Sequence, residues 1–133
     1  MARLTLDACV AIALLDRRDP HHQSAVDEVA AADSTGVDLL LPATALSETL
    51  VSFARAGMVE HARAAIASMG IATVVLSEEI AARAATIRAT EKDLRLPDAL
   101  VVATALEHES MLLTYDRSLK AAATRLGVHR SAA

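Results

Sequence analysis

The hydrophobic residues of this chain fall into short runs that switch between strand-like and helix-like spacing. "RLTLD" (Arg3–Asp7) reads as a strand entering the core, and "VAIALLD" (Val10–Asp16) as a short helix. Asp19 is placed to cap, and Pro20 to open, a second helix that Gly36 ends. "VDLLLP" (Val37–Pro42) is a second apolar strand. Ala43–Gly57 then repeats apolar residues at helical spacing, with Leu46, Leu50, Phe53 and Ala54 as the inward stripe, and Met58–Gly70 forms a further helix. "IATVVL" (Ile71–Leu76) is rich in β-branched residues and predicts a third strand. Ser77 caps the helix that follows. Glu78 and Glu79 occupy its first turn, where the dipole favours acids, and Ile80, Ala84 and Ile87 face inward.

The segment "LPDALVVATALEHESMLLTYD" (Leu96–Asp116) holds the longest apolar run. "ALVVATAL" is greasy enough for a buried strand, but its length, its alanines and Pro97 at its start predict a buried helix. "SMLLTYD" (Ser110–Asp116) is a fourth strand and "RSLKAAATRLG" (Arg117–Gly127) a last helix. Val128–Arg130 reads as a marginal edge strand, and Ser131–Ala133 as a frayed tail. Strands alternating with helices predict a three-layer α/β/α sandwich with a central parallel sheet of four to five strands, a single domain over residues 1–130. Ligands of such sheets bind beyond the carboxyl ends of the strands.

Composition narrows the choices. A hydrophobic fraction of 53% in 133 residues is enough for one full core. No apolar run reaches membrane-spanning length, and Asp7 interrupts the N-terminal apolar stretch, which makes it a poor secretory signal. Cys9 is the only cysteine, so no intrachain disulfide forms, and a cytoplasmic protein is expected. The net charge of −4 argues against non-specific coating of nucleic acid. Aromatic residues make up 2%, Phe53 and Tyr115, leaving no platform for base stacking. Any contact with nucleic acid would fall to arginines, hydroxyls and metal.

Four acids occupy comparable places on this scaffold. Asp7 and Asp116 lie at the carboxyl ends of the first and fourth strands, and Asp98 lies in the first turn of the buried helix. Glu48 stands on the helix that leaves the second strand, off its apolar stripe and near Thr44 and Ser52. Each has an ordinary use: Asp7 as a turn former, Asp98 as a dipole-matched acid, Asp116 as a helix cap, Glu48 as a solvated residue. Gathered at one rim they repel, and a divalent cation relieves that repulsion. All-oxygen donors suit hard ions such as Mg²⁺ or Mn²⁺, whose chemistry is hydrolysis of phosphodiesters.

Through "LTLDACV", "ALSETL", "LPDALVVATALEHE" and "LLTYDRSL" the chain resembles PIN domains, and among them the VapC-like toxins of bacterial toxin–antitoxin modules. The resemblance implies that Asp7, Glu48, Asp98 and Asp116 are catalytic, that Asp7, Asp98 and Asp116 bind Mg²⁺ or Mn²⁺, and that Thr114 supports the last acid. It implies a metal-dependent endoribonuclease acting on RNA. It implies also a homodimer, silenced by a small antitoxin that lies over the active-site groove and presents Arg or Lys to the acids. Helices between Ala43 and Met69 would supply the dimer face and the antitoxin groove. One departure is Cys9, where the family commonly has Ser or Thr; a thiol is the weaker hydrogen-bond partner.

Other residues are set aside. His21 and His22 read as a solvated pair, and Cys9 as an inert buried thiol. Arg17, Arg18, Arg95, Arg117 and Lys120 are as readily solvated or salt-bridged as bound to phosphate. A phospho-receiver domain would need an acidic pair after the first strand and an aspartate after the third, and "TVVLSEE" has none. A catalytically silent PIN-like binding domain is the remaining alternative. No G-x-G-x-x-G follows any strand, so a dinucleotide site is not expected.

Overall fold

The structure, a computed structural model, describes residues 2–128. Among them are four strands and seven helices: β1 (Arg3–Leu6), α1 (Ala8–Leu15), α2 (His22–Ser34), β2 (Asp38–Pro42), α3 (Ala43–Arg55), α4 (Val59–Ser68), β3 (Ile71–Val74), α5 (Glu78–Thr90), α6 (Leu96–Glu107), β4 (Met111–Leu113) and α7 (Arg117–Arg125). All strand pairs are parallel and the sheet order is β3-β2-β1-β4. This is the expected three-layer α/β/α architecture. Right-handed crossovers explain the layering. The two steps from β1 to β2 to β3 carry α1–α4, which pack on one another and on β2 and β3. The return from β3 to β4 carries α5 and α6, and α6 lies against β1, β2 and β4.

Leu4, Leu6, Leu39, Leu41, Leu112 and Leu113 of the strands are buried, as are Val101, Val102, Ala99, Ala103 and Ala105 of α6 and Ala122 and Ala123 of α7. Small residues along α6 let that helix settle close to the sheet. α6 is therefore the buried helix anticipated for "ALVVATAL", and its N-terminus is brought to the carboxyl edge of the sheet. Gly70 ends α4 with φ +74, a conformation in which an L side chain would be strained, and turns the chain into β3. Ser77 caps α5 as expected, its hydroxyl accepting from the Ile80 N–H at 3.1 Å.

Several boundaries differ from the sequence reading. α2 begins at His22, two residues after Pro20, with His21 in the cap position and no side-chain cap bond. Asp19 is not the cap: its Oδ1 accepts from the His21 N–H at 2.8 Å and its carbonyl from the His22 N–H at 3.0 Å, closing a local turn instead. On α3 the buried line is Ala45 and Thr49, while Leu46, Leu50 and Phe53 are half-buried and Ala54 is exposed. The heptad-like stripe is thus rotated toward solvent, because Thr49 satisfies its hydroxyl on the Ala45 carbonyl at 2.7 Å and so is buried without penalty. β3 stops at Val74, leaving Val75 and Leu76 exposed. β4 spans only Met111–Leu113, since Thr114 onward bends into the cap of α7. The Leu112 N–H donates to the Val128 carbonyl at 2.6 Å, so the chain returns alongside β4. His129 and Arg130 of the expected edge strand, and the tail Ser131–Ala133, lie outside the described residues.

Leu41 of β2 has no exposed surface and belongs to the buried core. Leu41→Ala should lower unfolding free energy by about 3 kcal/mol, through lost transfer energy and the cavity left behind, as read from urea denaturation.

A carboxylate site at the sheet rim

The carboxyl edge of the sheet is where β1 and β4 hand over to α1 and α7. Asp7 follows β1 directly. It is buried, and its backbone N–H donates to the Leu113 carbonyl at 3.1 Å, extending the β1–β4 ladder by one rung. Its Oδ1 caps α1, accepting from the Ala8 N–H at 2.8 Å. Its Oδ2 accepts from the Thr114 hydroxyl at 2.7 Å and from the Cys9 thiol at 3.4 Å. Thr114, fully buried, accepts in turn from the Asp116 N–H at 3.1 Å. Thr114 thus joins the first acid to the backbone of the last. Asp116 caps α7 with Oδ1, which accepts from the Leu119 N–H at 2.8 Å.

Asp98 stands in the first turn of α6, and its carboxylate is hydrogen-bonded by the Arg95 backbone N–H, half of a capping box. Glu48 projects from α3, exposed over most of its surface but with its carboxyl partly desolvated. The four acids meet electrostatically. Burial pushes the Glu48 carboxyl above its ordinary value, and the charges of Asp7 and Asp98 push it further, against the opposing pull of Arg95. Burial likewise raises Asp98, opposed by its bond from Arg95, with Asp7 and Asp116 adding to the rise. The charges of the four predicted acids thus act on one another around one rim, and Arg95, set aside in the sequence, offsets both Glu48 and Asp98.

The ordinary uses of these acids are also real. Asp7 and Asp116 do cap helices, and Asp98 does occupy a dipole-favoured turn. Three helix N-termini aimed at one rim are what allow three carboxylates to stay there. As to a cation, the donor chemistry fits: four carboxylates, all-oxygen, two with ionisation opposed by their neighbours. The spacing is open. Among the described residues no three His, Cys, Asp or Glu side chains form a ready-made metal cluster. Both Asp7 oxygens and one of Asp116 are held by protein donors.

Two sequence readings are corrected. His21 and His22 are not simply solvated. His22 is half-buried with Nδ1 2.7 Å from the Ala13 carbonyl, and the His21 ring stacks on Tyr115. Cys9, read as an inert buried thiol, is half-buried rather than buried: it touches Asp7 and Thr114 and accepts from the Tyr115 N–H at 3.4 Å. Burial, then the Asp7 charge, pushes its pKa to about 11, so it remains a protonated donor. A signal for Cys9 was present in its place two residues after Asp7. Nothing in the sequence paired His21 with Tyr115, ninety-odd positions away.

Beside the acids, Thr44, Ser47, Leu96, Pro97 and Leu100 line a shallow hollow of about 300 Å³ that includes Glu48. A second groove, about 340 Å³, runs between α1 and α3 along Ile12, Leu15, Phe53 and Met58.

A parallel sheet with convergent acids beyond its carboxyl edge defines a class of α/β domains built to act on ligands at that edge. The chain belongs to the PIN-domain family, which its residues 4–124 match. No curated protein sequence matches it. Solved structures share the fold. A toxin–antitoxin complex from Klebsiella pneumoniae is 24% identical, with a TM-score of 0.70 over 85% of this chain and 86% of that one. FitAcB from Neisseria gonorrhoeae is 22% identical, with a TM-score of 0.71 over 91% and 93%. VapC20 of Mycobacterium tuberculosis, a sarcin-ricin loop cleaving toxin, is 17% identical, with a TM-score of 0.69 over 90% and 94%.

Thr114→Val keeps the shape of Thr114 but leaves Asp7 Oδ2 with only the thiol. It should cost about 1–3 kcal/mol in urea unfolding. For Asp98 the expectation is opposite. Its folded carboxyl holds a proton more tightly than the unfolded chain does, so its ionisation opposes folding at pH above the folded value, and that opposition fades as pH falls below the ordinary carboxylate range. Asp98→Asn should raise the melting temperature of metal-free protein by a few degrees at neutral pH and by nothing in acid, as thermal melts across pH will show.

Proposed function

We propose that this protein is a metal-dependent endoribonuclease, the toxin of a toxin–antitoxin pair acting in the cytoplasm. The observation that carries the reading is the PIN-domain match over residues 4–124 together with Asp7 and Asp116 at the carboxyl ends of β1 and β4 and Asp98 in the first turn of α6. The kinship in fold with structures from toxin–antitoxin systems supports it. Asp7, Asp98 and Asp116 would hold Mg²⁺ or Mn²⁺, with Glu48 completing the set or orienting water. Such an ion, when bound, supplies the charge that activates water and stabilises the leaving oxygen of an RNA phosphodiester.

The protein's own parts prepare the site. The Thr114 and Cys9 donors and the α1 N-terminus hold the Asp7 carboxylate in a fixed orientation. The α6 and α7 N-termini position Asp98 and Asp116 at the same rim. Glu48, least constrained and with its proton affinity raised, is suited to order a water and accept its proton. The groove lined by Leu15, Phe53 and Met58 together with Asp16, Arg18 and Ser52 would take a segment of a small antitoxin, whose Arg or Lys would meet the acids, and the exposed apolar surface of α3 would take a second copy in a homodimer. Among the described residues no helix is long and apolar enough to cross a membrane.

Freed of antitoxin, the wild-type protein should cut RNA when Mn²⁺ is supplied, and Mn²⁺ at a hundred times its Kd should stabilise the fold by about 2.7 kcal/mol. Asp98→Asn should lose both effects while remaining folded. It is a better probe than Asp7→Ala, which would also remove the cap of α1. No cleavage and no stabilisation by Mn²⁺ would favour a silent binding module instead. Coexpression with an adjacent gene, followed by purification, tests for the small partner.

A further inference from the structure

The rings of His21 and Tyr115 lie face to face, with centroids 4.3 Å apart and planes 14° from parallel. They join the start of α2 to the turn that carries Thr114 and Asp116. Tyr115 is firmly held: its hydroxyl donates to Glu28 Oε1 at 3.2 Å, its N–H donates to Cys9 Sγ at 3.4 Å, and its ring is half-buried against the core. His21 is exposed, and among the described residues its ring makes no hydrogen bond. With one face on Tyr115, its other face is open to solvent. The pair forms a stationary flat surface that starts one residue from an acid of the rim.

The charges nearby say what such a surface would take. Glu28 is bonded to the Tyr115 hydroxyl, and Asp19 stands close enough to add to its field. Carboxylates repel phosphate, so an anion is disfavoured, whereas a neutral flat ring is not. We infer that the His21–Tyr115 stack is a nucleobase subsite for single-stranded RNA, in which a base next to the cut phosphate lies on the open face of His21. The inference rests on the nuclease reading. It reverses the expectation that a chain with one tyrosine and one phenylalanine has no stacking platform, because a histidine supplies the outer ring. Preorganisation by Glu28 and Cys9 means little ordering is lost when a base docks.

The test uses Asp98→Asn protein, which should bind without cutting, and a fluorescein-labelled pool of random single-stranded oligoribonucleotides. Stacking on an aromatic surface is worth about 1–3 kcal/mol per base, so His21→Ala should weaken binding about tenfold. His21→Phe, which keeps a flat ring without its nitrogens, should restore it. A ribose-phosphate oligomer without bases should bind both proteins alike. Thermal melts of each variant separate a folding defect from lost recognition. Unchanged binding by a folded His21→Ala protein, failure of Phe to rescue, or an equal loss for the baseless oligomer would each overturn the subsite. If the wild type cuts RNA with Mn²⁺ while His21→Ala binds normally, only the subsite falls; if the wild type neither binds nor cuts, the nuclease reading falls with it.

Discussion

The hydrogen bond from Thr114 to Asp7 is the contact on which the site depends. It joins the neighbouring strands β1 and β4 at the point where both leave the sheet. On one side it fixes a buried carboxylate that also caps α1. On the other it sets the backbone of Asp116, because the same hydroxyl accepts from the Asp116 N–H. A buried carboxylate is tolerable only when its oxygens are occupied by donors. Here a backbone N–H, a hydroxyl and a thiol perform that service. Those donors fix the Asp7 carboxylate at the rim, where its charge acts on Glu48 and Asp98.

That charge shapes what surrounds it. Helices α1, α6 and α7 all begin at the rim, and each places its positive end beside one acid. Glu48 comes from the middle of α3 and has no such support, and it is among the acids whose ionisation the neighbours oppose. Arg95 partly offsets Glu48 and Asp98 from one side. The remaining described ion pairs, such as Arg83 with Glu107 and Arg125 with Glu91, lie on the surface between helices and fasten α5 to α6 and α7 to the end of α5. Pairs of that kind contribute little to stability. The apolar residues shared by the sheet and α6 hold the fold, and the rim is an electrostatic load placed on top of it.

Much of this was legible in the sequence, for identifiable reasons. Parallel strands buried on both faces read as short apolar runs, and "LTL", "LLLP" and "MLL" are such runs. The acids were legible because a strand ending in Asp, or a helix opening with Pro-Asp, carries its position with it. What failed was whatever depended on a competing local bond. Asp19 looked like a cap, but its side chain found the His21 N–H within its own turn. The α3 stripe looked like leucine and phenylalanine, but Thr49, satisfied by its own helix, took the inward place. Arg95 and the His21–Tyr115 stack were illegible because they arise from contacts between distant segments, which no periodicity reports.

Cys9 shows how such a site absorbs a change of residue. A hydroxyl here would donate at a shorter distance to Asp7 and hold it more strongly. The thiol reaches only 3.4 Å, yet it lies within bonding distance of three groups, Asp7, Thr114 and the Tyr115 N–H. Its raised pKa keeps the proton on sulfur, so it adds no charge to a rim already crowded with negative charge. A thiolate in the same place would repel Asp7 and leave Thr114 as its only side-chain donor. The substitution is thus compatible with the site because burial and the acid beside it hold the cysteine neutral: the same field that opposes ionisation of Glu48 and Asp98 keeps Cys9 a donor.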